Sequence, residues 1–106
     1  MWLKEMESGK YYNEVYIAHT IVGQDVTIAI LTYSRIMVIR SDTLKQEYSV
    51  HLDDIKVVQT GEDGVYLNLK KPMTKVLSIE ESTSREWFAK TIKQIMIQRK
   101  EEQERQ

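Results

Sequence analysis

Two histidines, His19 and His51, and two acidic pairs, Asp53-Asp54 and Glu62-Asp63, have the side-chain types that carry acid–base or metal chemistry. Their spacing does not suit it. No His-x-x-x-His pair occurs, cysteine is absent, and no carboxylate stands at ligand spacing from either histidine, so zinc ligation and thiolate catalysis have no residues to use. Both histidines fall in or beside segments of strand pattern, which makes them sheet residues rather than bases or ligands. The acidic pairs fall in a corner and a turn, where short acids accept backbone amides. Paired-carboxylate catalysis needs one member buried with a raised pKa, and an exposed turn does not supply that. The 4 glycines are spread along the chain and form no phosphate-cradling loop. The expectation is a protein with no catalytic site, no metal and no cofactor.

The elements that would position any other kind of site are legible from periodicity. Residues 82–99, STSREWFAKTIKQIMIQR, form the one long segment with helical spacing, and Trp87, Phe88, Ile92, Ile95 and Met96 are assigned to its apolar stripe. Thr83 with Glu86 fits a capping box, with Ser82 and Ser84 as alternative caps. Ile97 breaks the polar face. Everything before the helix alternates like strands: EVYIAHTI, VTIAILTY, RIMVIR, KQEYSV, IKVVQ, VYLNLK and KVLSI, separated by turns at Gly23-Gln24-Asp25, Tyr33-Ser34, Ser41-Asp42-Thr43, His51 to Asp54, residues 61–64 and Lys71 to Thr74. A single amphipathic helix must bury its stripe against that sheet. The fold expected is mainly β with one C-terminal α-helix, a seven-stranded antiparallel sandwich or partly open barrel capped by the helix. Residues 1–13 read as a lead-in in which Trp2 either folds back or packs on something upstream, 14–99 as the domain, and 100–106 as a charged tail.

Composition sets the outer bounds. A chain of 106 residues holds one core, and 42% hydrophobic with 29% charged residues is ordinary for a globular protein. A formal net charge of −1 gives no overall pull toward nucleic acid, so affinity for anions must come from a local patch. With no cysteine, the chain needs nothing from an oxidising compartment, and a cytoplasmic setting as a monomer is expected. No apolar run approaches the roughly 20 residues of a membrane span, and Met1 to Lys10 lacks the apolar core of a signal peptide. A membrane would be met at its surface.

Seven strands followed by one helix is the element order of the pleckstrin-homology fold. The segments WLKEMESGKYYNEVYIAH, LTYSRIMVI, LDDIKVV and STSREWF together resemble the C-terminal pleckstrin-homology-like domain of the chorein family, the bridge-like lipid-transfer proteins named for vacuolar protein sorting, number thirteen. The resemblance runs from Trp2 to about Ile97. Its more distinctive motif is Gly-Lys-Tyr-x-x-Glu at Gly9 to Glu14, while Leu-Thr-x-x-Arg-Ile at Leu31 to Ile36 also occurs in other pleckstrin-like families.

The resemblance implies that the loops after strands one, three and six share one open end of the sandwich. Here these carry Arg40, Lys45, Lys70, Lys71 and Lys75 against Asp25 and Asp42, a local net charge of +3. It also implies weak binding of anionic membrane lipids, phosphoinositides among them, through those five bases, with Leu44 and Met73 inserting beside the headgroups. The first hairpin, Ile21 to Asp25, holds no base, which argues against stereospecific headgroup capture. The bland alternative is that loop lysines are simply solvated. A rival reading is a protein-interaction module, in which a strand edge or the groove beside the helix takes a small GTPase of the Arf type or a membrane-protein peptide. The place implied is peripheral, at organelle contact sites.

Overall fold

The structure is a computed structural model that describes residues 15–23 and 27–105. The lead-in with Trp2, and Gln24-Asp25 of the first turn, lie outside the described residues. Seven strands and a helix follow in the expected order: β1 Tyr16–Val22, β2 Thr27–Thr32, β3 Arg35–Arg40, β4 Gln46–His51, β5 Ile55–Thr60, β6 Gly64–Leu69, β7 Thr74–Ser78 and α1 Ser82–Arg105. A 3-10 turn, Leu52–Asp54, makes the corner between β4 and β5. Strands β1 to β4 form one antiparallel meander and β5 to β7 another. The two sheets do not close into a barrel. The fold is the pleckstrin-homology-like sandwich with its C-terminal helix.

Alternation explains which sheet face is inside, and in two strands it fails instructively. Ala29, Leu31, Ile36 and Val38 belong to the main core with the helix and the second sheet, while their neighbours Ile30, Met37 and Ile39 form a separate cluster with part-buried Ile28. Adjacent strand residues point to opposite faces, so β2 and β3 are buried on both. Such strands read as continuous apolar runs, as TIAIL and IMVI do. The turn between them is organised by Thr32, which is fully buried. Its hydroxyl accepts the amides of Ser34 at 3.3 Å and Arg35 at 3.1 Å and lies 3.1 Å from the Arg35 carbonyl. That local bonding is the physical content of the Leu-Thr-x-x-Arg-Ile motif.

Gly64 has a different reason to be glycine. A Cβ there would meet the Leu77 carbonyl oxygen at 2.4 Å, against backbone that cannot move without breaking the β6–β7 ladder.

The helix buries Phe88, Ala89, Ile92 and Ile95, with Met96 partly covered, against β1, β5 and β6. Trp87 does not join them and is 49% exposed. At 100° per residue Trp87 lies about 140° around the helix from Ile92, so assigning it to the stripe was a geometric error, and Ala89 fills the flank. The expected capping box is also absent among the described residues. Glu81 marks the start instead, its carbonyl accepting the Arg85 amide at 3.0 Å and its carboxylate accepting the Ser84 hydroxyl at 2.9 Å. At the other end the helix does not stop at Arg99 but continues to Arg105, through the stretch expected as a charged tail.

Phe88→Ala is expected to destabilise the domain by about 3–5 kcal/mol in denaturant titration, whereas Trp87→Ala changes stability by less than about 1 kcal/mol. Gly64→Ala should lower stability despite the gain in strand propensity, because the added methyl meets backbone.

Candidate lipid-contact surface

The five bases expected to form one patch are distributed over three places. Arg40 closes β3, where its amide bonds the Lys45 carbonyl at 3.0 Å across the β3–β4 turn. Its guanidinium grips Asp42 with two bonds, Nε to Oδ1 at 3.2 Å and Nη2 to Oδ2 at 3.1 Å. The pairing offsets Arg40's charge locally and holds the Asp42 carboxyl below the usual carboxylate range. Lys45 follows on the same turn and is exposed. Leu44, between them, has φ 59°, a left-handed conformation that costs a non-glycine residue about 1 kcal/mol, and it stands half exposed.

Lys70 and Lys71 are exposed on the β6–β7 loop, with Met73 beside them 48% exposed. The loop is tight, because the Met73 amide bonds the Lys71 carbonyl at 2.6 Å and the Leu69 amide bonds the Met73 carbonyl at 3.0 Å. Lys75 is the second residue of β7, and its ammonium lies 4.9 Å from the centre of the Tyr48 ring on β4, linking the two sheets at their edges. Burial, and then the neighbouring Glu47, push the Tyr48 hydroxyl above its ordinary pKa.

The β3–β4 turn lies at the first turn's end of its sheet, since Val22 pairs with Thr27 and Thr27 with Arg40, but the β6–β7 loop does not join them there. The Gly23 amide bonds the Ser78 carbonyl at 2.6 Å, at the finish of β7, whereas Lys70 and Lys71 precede its start. The Lys70 amide instead bonds the Asp54 carbonyl at 2.9 Å, which ties that loop to the 3-10 corner. Arg40 lies at the opposite end of β3 from Arg35, whose register partner is His51 beside the same corner. The surface therefore has a β3–β4 turn group and a β6–β7 loop group, with Lys75 bridging from one sheet to the other.

A pocket of about 410 Å³ adjoins Lys70, between the corner, β5 and the last turns of α1. Leu52, Ile55 and Met96 supply apolar lining, and Lys56, Lys70 and Lys100 supply charge. Arg99 forms one wall and is firmly held: Nη1 donates to the Tyr33 carbonyl at 2.8 Å, Nη2 donates to both Asp53 oxygens at 3.0 Å, and the guanidinium carbon lies 5.4 Å from the Tyr33 ring centre. The Tyr33 hydroxyl donates to Glu102, and that bond, ahead of burial, raises the hydroxyl's pKa. Sequence reasoning missed Lys56 and Lys100, reading one as an ordinary strand residue and the other as tail. The available signal was the spacing of Met96, Arg99, Lys100 and Gln103, which share one helical face if the helix is continued.

The remaining candidates are structural. His19 is exposed on β1 and hydrogen-bonds Tyr16, and Asp63 accepts from the Tyr66 hydroxyl at 2.7 Å. Among the described residues no group of three His, Cys, Asp or Glu side chains could hold a metal ion. No described helix is long and apolar enough to cross a membrane.

A two-sheet antiparallel sandwich with a helix in its seam is a pleckstrin-homology-like scaffold. The chain belongs to the family described as intermembrane lipid transfer protein VPS13, C-terminal, whose model matches residues 1–102. It is similar to the intermembrane lipid transfer protein VPS13 of the fungus Chaetomium thermophilum, at 36% identity over 69 residues. That match covers 65% of this chain and 2% of the relative's length.

Loss of the Arg40 partner gives a local check on the turn. In Arg40→Ala the Asp42 carboxyl should titrate upward, toward the ordinary carboxylate range, when followed by carboxyl-carbon NMR. The sign follows from linkage: a lowered folded pKa means a contribution present above the unfolded value and lost as pH falls through the folded one.

Proposed function

We propose that this chain is a non-catalytic targeting domain of a chorein-type lipid-transfer protein, binding anionic lipid headgroups weakly at the cytoplasmic face of membrane contact sites. The observation that carries the reading is the β6–β7 loop. Lys70 and Lys71 stand exposed there beside an exposed Met73, and no ion pair among the described residues involves either lysine. Each such base near an anionic surface contributes about 1 kcal/mol, fading within a Debye length of about 8 Å at physiological salt. Leu44, left-handed and half exposed in the β3–β4 turn, would offer a second apolar contact to the bilayer. Lys45 and Arg40 would approach the bilayer with it, and Lys75 would add charge between the two groups. Phosphoinositides suit this arrangement through charge density rather than through a shaped headgroup site. Lipid transport itself would belong to other parts of such a protein, since one 106-residue core leaves no room for a long apolar groove.

A second reading has one observation in its favour. β7 is an edge of its sheet with Val76 exposed, so a small GTPase of the Arf type or a membrane-protein peptide could pair along it.

Co-sedimentation with phosphatidylcholine vesicles containing phosphatidylinositol phosphates, at low and physiological salt, tests the lipid reading. The expected result is binding that weakens with salt, is abolished by Lys70→Glu/Lys71→Glu and is strengthened several-fold by Asp42→Asn, which removes the acid of the β3–β4 turn. Binding at neither salt concentration would overturn it.

A further inference from the structure

We infer that the pocket beside the end of α1 is a docking site for a short acidic peptide carrying one apolar anchor residue. Its chemistry is divided by depth. Leu52 and Ile55 are buried to within a few per cent and, with Met96, make the deep part apolar, while Lys56, Lys70 and Lys100 surround it. A ligand whose inserted portion were a phosphate would need free donors in the deep part. Arg99, the strongest donor of the pocket, is already committed to Asp53 and the Tyr33 carbonyl, and its side chain is only 18% exposed. What the deep part offers is contact for an aliphatic or aromatic side chain. The surrounding charge favours carboxylates on either side of that anchor. No ion pair among the described residues involves any of the three lysines, so an incoming acid displaces no partner among those residues. Of the acids of the same helix segment, Glu102 accepts from Tyr33, Glu101 lies about 140° around the helix from Met96, and Glu104, one turn beyond Lys100, is exposed and forms no ion pair among the described residues. Arg99 acts as a positioning residue, fixing the last turns of α1 against the β2–β3 turn and the corner so that the pocket keeps its shape. The inference goes beyond membrane docking, because it needs no lipid and uses Lys56 and Lys100, which the loop reading does not.

Selection from a random heptapeptide display library on the 106-residue chain tests this, followed by fluorescence titration of the enriched peptide. The expected consensus is acidic residues flanking a Leu, Ile, Met or Phe. Its affinity should fall at least about tenfold in Lys56→Glu/Lys100→Glu and at raised salt, and be unchanged in Lys45→Glu. Both charge-reversed variants change exposed positions, and equal melting temperatures would confirm that they fold. Three results would overturn the inference: no enriched consensus, a consensus without acids, or an acidic one insensitive to the double reversal. Vesicle binding measured on the same double variant separates the two readings. Vesicle binding retained with peptide binding lost leaves both standing, and peptide binding to a chain that ignores vesicles removes the membrane reading alone.

Discussion

The burial of one helical seam is the constraint on which the rest of the structure depends. Phe88, Ala89, Ile92 and Ile95 fill the space between two sheets that do not close on each other, and without them the inner faces of both would meet water. At about 1.5–3 kcal/mol for each large side chain buried, the seam contributes on the order of the whole stability of a domain this size. An arginine secures it toward each end. Arg85 donates to the carbonyls of Ile79 at 2.8 Å and Glu80 at 2.7 Å, while Arg99 reaches Tyr33 and Asp53. Both arginines fall on the buried stripe, about 20° to either side of Ile92, so their stems extend the packing and their heads collect backbone oxygens beyond it.

That arrangement connects stability with the surface. Arg99 fixes the distance between the helix end, the β2–β3 turn and the corner, and the Lys70 amide ties the β6–β7 loop to the same corner through the Asp54 carbonyl. The loop proposed to meet lipid is therefore anchored to the region that the helix braces. The β3–β4 turn is independent of it, held by its own ladder and by the Arg40–Asp42 pair. A bilayer that met both of these separately mounted groups would fix the orientation of the domain on it, as the proposed targeting role requires.

Most of the architecture was legible because strand runs and turn residues punctuate the chain clearly. All seven strands fall where alternation and the turn signals put them, and the family resemblance covers nearly the same span as the family match. The misses have definite causes. Trp87 was placed by hydrophobicity when its angle excluded it, and the charge of residues 100–105 concealed a helix whose inward face there is Arg99 and Gln103 rather than another leucine or isoleucine. The site was less legible than the fold, because sequence order does not say which loops share an end. Lys56 and Lys100 stand 44 positions apart and line one pocket only because the helix returns along β5. The second apolar cluster was hidden as well: Ile30, Met37 and Ile39 read as a uniformly buried strand pair, with no indication that two separate layers were involved.

The place of the seam in chain order has a consequence for synthesis. Both sheets are complete by Ser78, built from hairpins whose contacts are short in sequence, and the clasp at Thr32 can form as soon as Arg35 is available. The residues that fill the space between them are made afterwards. During translation, at about 5–20 residues per second, the inner faces of seven strands wait for Phe88, Ile92 and Ile95 to clear the ribosome. For that interval the nascent domain is an open apolar clamp, and its first obligatory partner is the helix that follows it in the chain.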